Sequence, residues 1–194
     1  MNQELERLEE RSLSSELIFD GKVVHLYVDR VSLPDGQSSI REYVKHIGAV
    51  AVLPLTDEGE VICVRQYRYA HRCLLTEIPA GKLDRSDEDH VEAALRELRE
   101  ETGATCRTLT HLGLYRSTPA ILDEKVDLYF AEGLTFGETD PDDDEFLEVH
   151  RIPLSTMVEM VMRGEITDGK TQVAVLKVNE ILRRRAQDSE NAKG

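Results

Sequence analysis

Three glutamates, Glu97, Glu100 and Glu101, fall within one short stretch, with Arg96 and Arg99 among them. Offsets of three and four residues share a helix face, so on an α-helix these carboxylates occupy an arc roughly 100° wide. Like charges at such spacing cost only about 0.2–0.5 kcal/mol per pair. A solvated surface tolerates that, and an acidic stripe taken alone is most often such a surface. The chemical alternative is a hard divalent cation, because Mg²⁺ selects carboxylate and carbonyl oxygens. Just ahead, the strand-like Glu77-Ile78-Pro79 runs into a turn at Pro79-Ala80-Gly81, and such an exit can present a backbone carbonyl near the helix.

The spacing predicts the helix that would carry these groups. Asp87 is placed to cap its start, Glu88 and Asp89 load the first turn with negative charge, and Gly103 stops it after Thr102. Val91, Ala94, Leu95, Leu98 and Thr102 form the stripe expected to face a core, with Glu92, Arg96 and Arg99 pointing outward or sideways.

Residues Arg96 to Ala104 match the pattern REUxEExGU, where U is an aliphatic residue. With Gly81 ahead and Glu88 before Arg96, the segment resembles the Nudix box of nucleoside-diphosphate-linked hydrolases. The gap from Gly81 to Glu88 is one residue longer than usual, and Ala104 is small for the last position. The resemblance implies Mg²⁺, with Mn²⁺ a substitute, held as two or more ions by Glu97, Glu100, Glu101 and the Ala80 carbonyl. It implies that Arg96 orients the helix glutamates, with Glu92 and Glu100 as its partners one turn away. It also implies a loop carboxylate that activates water: Glu145 by its position before a strand, with Glu148 and Asp144 as competitors. The loop from Tyr115 to Lys125, centred on Pro119, is similar to one that marks the ADP-ribose pyrophosphatase branch. So are Leu33-Pro34-Asp35-Gly36, Arg41-Glu42, Gly48-Ala49-Val50 and the segment from Gly164 to Thr171. That branch implies hydrolysis of ADP-ribose to AMP and ribose 5-phosphate. Another nucleotide sugar such as GDP-mannose is an alternative, and so is a non-catalytic nucleotide sensor.

A net charge of −14 argues against a nucleic-acid partner, which requires a basic footprint. An anionic diphosphate is also awkward for such a chain, unless cations neutralise the site and local arginines steer the ligand. Arg65 and Arg68, at the end of an apolar strand, are candidates to hold phosphate or ribose oxygens, with Glu77 as an orienting partner. Cys63, Cys73 and Cys106 have no metal-ligand spacing, the histidines do not cluster, and no nucleophile–base pairing stands out. No apolar run is long enough to span a bilayer and the N-terminus lacks a secretory core, so a cytoplasmic protein without a membrane partner is expected.

The order of elements is strands, a helix, strands, then helices, a mixed α+β class. The resemblance implies a three-layer α/β/α Nudix sandwich with a mixed sheet, preceded by a small antiparallel β-rich N-terminal subdomain. The expected divisions are an arm over 1–20, read as a short helix or frayed segment, a β subdomain over 21–47, the hydrolase domain over 48–186, and a charged tail over 187–194. Helices are expected from Ser155 to about Arg163, with Met157, Val158, Val161 and Met162 inward, and from Thr167 or Asp168 to about Arg185, using Val173, Leu176, Val178, Ile181 and Leu182. The apolar face of the 21–47 meander needs a partner, and the branch commonly dimerises through it. A homodimer is therefore expected, with Glu42 and His46 reaching the nucleotide base from the partner chain and Pro119 lining the substrate site.

Overall fold

A computed structural model describes residues 7–140 and 146–192. Among the described residues, ten strands form two sheets and three helices flank the larger one. The chain divides into two compact units.

The first unit contains the described residues up to Ile47 together with Arg116–Lys125. Strands β1 (Arg11–Asp20), β2 (His25–Ser32) and β3 (Ser38–Lys45) make an antiparallel sheet in that order. The turn after β2 closes through Gly36 N–H to Leu33 O at 2.9 Å, with Gly36 at φ 84°. Its left-handed backbone is the conformation glycine adopts without a Cβ penalty. Residues Arg11–Asp20 are thus a strand, not the short helix or frayed arm expected. Register shifts between Ser12 and Ser14 and between Leu17 and Phe19 break their alternation, which hides the strand from a period-two reading. The proline-bearing loop packs with β3: Val44 N–H donates to Ile121 O at 2.8 Å, and His46 N–H donates to Asp123 Oδ1 at 2.6 Å.

The second unit is a mixed sheet of β10 (Leu147–Pro153), β5 (Glu60–Arg68), β4 (Ala49–Leu55), β9 (Val126–Phe136) and β8 (Ala104–Tyr115), in that order. Short strands β6 (Cys73–Glu77) and β7 (Ala80–Lys82) pair with β5 and β4. Among the described strand pairs of this sheet, only β4 and β9 run parallel. Ala80 and Gly81 therefore belong to a strand and not to the turn expected of them. Every residue of β4 is buried. Its alternate residues feed two cores: Ala49, Ala51, Leu53 and Leu55 on one face, Val50 and Val52 on the other. Helices α2 (Leu154–Met162) and α3 (Gly169–Asn191) cover the first face through Met157, Ala174, Val175 and Val178. Helix α1 (His90–Thr102) covers the second through Ala93, Ala94 and Leu98. The result is the three-layer sandwich. No helix among the described residues is long and apolar enough to cross a membrane.

Two inward assignments are corrected: Met162 is 74% exposed and Leu176 is 39% exposed. Helix α3 also runs on to Asn191, past the expected end near Arg185. Ion pairs from Glu180 to Arg183 and Arg184 span successive turns and support this charged extension.

Candidate active site

Helix α1 begins one turn-fraction later than its sequence suggests. Asp89, not Asp87, is the cap, its carboxylate accepting from Val91 N–H at 2.8 Å and Glu92 N–H at 3.1 Å. Glu88 then lies ahead of the helix and closes the preceding loop, accepting from Asp84 N–H at 2.6 Å. That bond, ahead of the nearby Arg96, holds its carboxyl below the usual range. Gly103 ends the helix at φ 68°, as expected of a left-handed stop.

The buried face of α1 is Ala93, Ala94, Glu97, Leu98, Glu101 and Thr102. Val91 and Leu95, assigned to the core by their apolarity, are 45% and 39% exposed. Two glutamates take the inward positions instead: Glu97 is 8% exposed and Glu101 is 1% exposed. Buried carboxylates need partners. Glu101 Oε2 accepts from Ala80 N–H at 3.2 Å. Glu97 lies against Gly81, where an added Cβ would stand 2.0 Å from Oε1. The missing Cβ leaves room for the carboxylate there, and the backbone angle does not call for glycine.

Arg96 gathers the acidic groups. It donates from Nη1 to Glu97 Oε1 at 2.8 Å and to Glu100 Oε2 at 3.1 Å, from Nε to Glu88 Oε1 at 3.4 Å, and from Nη2 to Lys82 O at 3.2 Å. Burial works against its charge, but Glu97 and Glu100 outweigh that and raise its pKa further. Its acidic partners are therefore Asp84 at 3.6 Å, Glu88, Glu97 and Glu100, and the Glu92 expected one turn back is not among them.

Among the described residues no three His, Cys, Asp or Glu side chains converge as a ready-made metal cage. Glu97 and Glu100 are turned toward Arg96. The donor chemistry nonetheless fits a hard divalent cation: every side-chain donor is a carboxylate oxygen, and two of the three, Glu97 and Glu101, are buried.

Beside this helix the end of β5 meets β6 and the start of α3. Arg68 donates from Nε to Glu77 Oε1 at 2.7 Å and from Nη2 to Oε2 at 2.8 Å, a two-pronged pair. The Glu77 bond raises the Arg68 pKa, and Glu101 adds to it, so the arginine feels the glutamate helix. Burial alone would push Glu77 up; Arg68 and Lys170 together bring it down to about 2. Arg68, Glu77, Asp168 and Lys170 line a pocket of about 440 Å³ with Tyr69 and His71. Arg65 is exposed on β5, opposite Glu148 in the register with β10.

The structure thus brings Arg96, Glu97, Glu100, Glu101 and Ala80 together, and Arg68 with Glu77 as an oriented pair. Glu42, His46 and Pro119 belong to the other unit, where the His46 ring is 3.7 Å from Glu124. Glu145 and Asp144 lie outside the described residues, while Glu148 is an exposed residue of β10 near His150 at 3.3 Å. Asp168 caps α3, one of the two starts expected for that helix, and Lys170 follows it in the Gly164–Thr171 segment of the resemblance. The ion pairs of Lys170 with Glu77 and Asp168 come from tertiary packing, which sequence spacing does not show.

Comparison with known proteins agrees with this architecture. Residues 45–173 match the NUDIX domain, and residues 10–44 match the nucleoside diphosphate sugar hydrolase N-terminal domain. The chain is 44% identical over 182 residues to the ADP-ribose pyrophosphatase of Bacillus subtilis, covering 92% of this chain and 98% of that protein. It is 41% identical over 179 residues to the methanol dehydrogenase activator of Bacillus methanolicus, covering 90% and 96%. A crystal structure of an ADP compounds hydrolase superposes with a TM-score of 0.80 at 22% identity, covering 91% of this chain and 96% of that one, a likeness of fold.

Proposed function

The chain belongs to the Nudix family, and from that membership we propose that it hydrolyses the pyrophosphate bond of ADP-ribose to AMP and ribose 5-phosphate, or that of a related ADP-sugar to AMP and the corresponding sugar phosphate. The observation that carries this is the pair of inward carboxylates, Glu97 and Glu101, one turn apart and backed by Gly81 and Ala80. Such a costly arrangement serves no packing purpose that an aliphatic pair would not serve better.

Glu97, Glu100, Glu101 and the Ala80 carbonyl would hold the divalent cation, for which we propose Mg²⁺ with Mn²⁺ as a substitute. When bound, the cation neutralises the diphosphate and acidifies water. Arg96 fixes the carboxylates of Glu97 and Glu100 through its hydrogen bonds. Arg68, oriented by Glu77, presents its remaining donors to a phosphate or ribose oxygen, and Arg65 is a second cation on the same strand. Glu145 would take the proton from water. Glu42, His46 and Pro119 would contact the nucleotide, the first two from a second copy of the chain. That second copy is supported by apolar side chains left exposed on β1, namely Leu13, Leu17, Ile18 and Phe19.

The test is product analysis after incubation with ADP-ribose and with GDP-mannose, with and without Mg²⁺. AMP formed from ADP-ribose only with the cation supports the proposal; preferential cleavage of GDP-mannose overturns the substrate assignment. A second reading, favoured by the likeness to the Bacillus methanolicus protein, is action on a partner enzyme. A dehydrogenase accelerated equally by the wild type and by a Glu101→Gln chain would support it.

A further inference from the structure

The pocket beside β5 holds four charges, of which the proposed function uses two. Arg68 and Lys170 both bind Glu77, a carboxylate only 1% exposed. Lys170 Nζ is shared between Glu77 Oε2 and Asp168 Oδ1, the latter at 3.0 Å. Asp168 is itself immobilised as the cap of α3. Its Oδ2 accepts from Thr171 N–H at 2.9 Å and from the Thr171 hydroxyl at 2.5 Å. That hydroxyl in turn accepts from Ile78 N–H at 2.9 Å, tying the start of α3 to the residue after Glu77. Lys170 is therefore held at a fixed place, with its side chain 14% exposed.

This arrangement has an electrostatic consequence. A buried Glu77 facing Arg68 alone would cancel the guanidinium charge, and an incoming anion would meet a neutral pair. A second cation on the same carboxylate restores the excess. Asp168 offsets this less than its formal charge suggests, because its carboxylate is drawn into the helix cap. Glu101 also acts on Arg68, which makes a second cation on Glu77 the more necessary.

We propose that Lys170 is a positioning residue for the anionic substrate, neutralising Glu77 so that Arg68 stays both fixed and available to a diphosphate. This rests on the reading that Arg68 faces the substrate. Lys170 does its work through Glu77, so its effect depends on Glu77 being charged. Removing Lys170 matters when Glu77 is a carboxylate and matters little when Glu77 is an amide.

The experiment is a double-mutant cycle on Lys170→Met and Glu77→Gln, with Lys170→Arg as the conservative variant. It reads KM and kcat for ADP-ribose with Mg²⁺, and calorimetric binding of ADP to the metal-free protein. Lys170→Met should raise KM and weaken ADP binding about tenfold, with kcat changing less. Lys170→Arg should stay near wild type. In the Glu77→Gln background, Lys170→Met should change KM and ADP binding by less than about twofold. Equal effects of Lys170→Met in both backgrounds would overturn the proposal, as would unchanged KM and ADP binding in a folded Lys170→Met chain. Should Lys170→Met alone fail to fold, the Glu77→Gln pair decides: a large difference between Glu77→Gln and the double variant overturns the proposal, and none supports it. A wild type that binds ADP but does not cleave ADP-ribose sinks the proposed function, and the binding cycle still tests Lys170.

Discussion

Glu101 is almost wholly buried on the inward face of α1, and its Oε2 accepts from the backbone amide of Ala80. It is one of the three carboxylates proposed to hold the cation. Replacing Glu100 or Glu101 with glutamine removes a proposed cation ligand while keeping shape. We expect kcat to fall by at least about 10²-fold with the melting temperature little changed; near-normal turnover in both variants would remove the metal assignment. Glu145→Gln should lower kcat by about 10²–10⁴-fold with Mg²⁺ affinity retained. The same result from Glu148→Gln instead would move the base to β10. Gly81→Ala makes a finer probe. Its methyl would stand 2.0 Å from Glu97 Oε1. That oxygen ends a flexible side chain, so the chain should fold while Glu97 is displaced. Activity should drop without a matching loss of thermal stability.

At the scale of elements, helix α1 marks what the sequence revealed and what it concealed. Its existence, its glycine stop and its three glutamates were all legible, because spacing and a left-handed C-terminal residue are local properties. The rotation of its buried face was not. Hydrophobicity assigns Val91 and Leu95 to the core and glutamates to water, whereas Glu97 and Glu101 are turned inward at a cost in solvation. The cap was misjudged because Asp87 and Asp89 are chemically alike and only the tertiary path of the loop chooses between them. Asp89→Ala should destabilise the protein by about 1 kcal/mol in chemical denaturation. Asp87→Ala, at an exposed residue paired with the exposed Arg85, should leave the midpoint unchanged. The opposite order would restore the earlier cap. Strand β1 is hidden for another reason: two register shifts break its alternation, and its partner strand supplies the order. The sandwich itself was recoverable, since buried runs such as β4 are short, apolar and bounded by turns.

For the molecule as a whole, the joined charges of Glu77, Arg68, Lys170 and Asp168 tie β5, β6 and α3 together. Glu77 titrates near 2 in the folded chain against an ordinary value of 4.5. A depressed carboxylate stabilises the fold fully above its ordinary value, and the contribution is lost as pH falls from about 4.5 through 2. The melting temperature of wild type should therefore exceed that of Glu77→Gln at neutral pH, with the gap closing as pH falls through that window. A gap independent of pH would contradict the assignment. The net charge of −14 fits the same picture, because an acidic protein that handles a diphosphate needs cations at the site of reaction. Whether the exposed apolar side chains of β1 meet a second copy is read by light scattering: a dimer mass at micromolar concentration is expected, and a monomer mass would remove the partner roles of Glu42 and His46.

The most direct test is an anomalous difference map from crystals soaked with Mn²⁺ and ADP. Peaks should lie within coordinating distance of the Glu97, Glu100 and Glu101 carboxylates, with diphosphate oxygens on the same ions and Arg68 turned toward the nucleotide. Nucleotide bound elsewhere, with no ion at those three glutamates, would contradict the proposed chemistry outright.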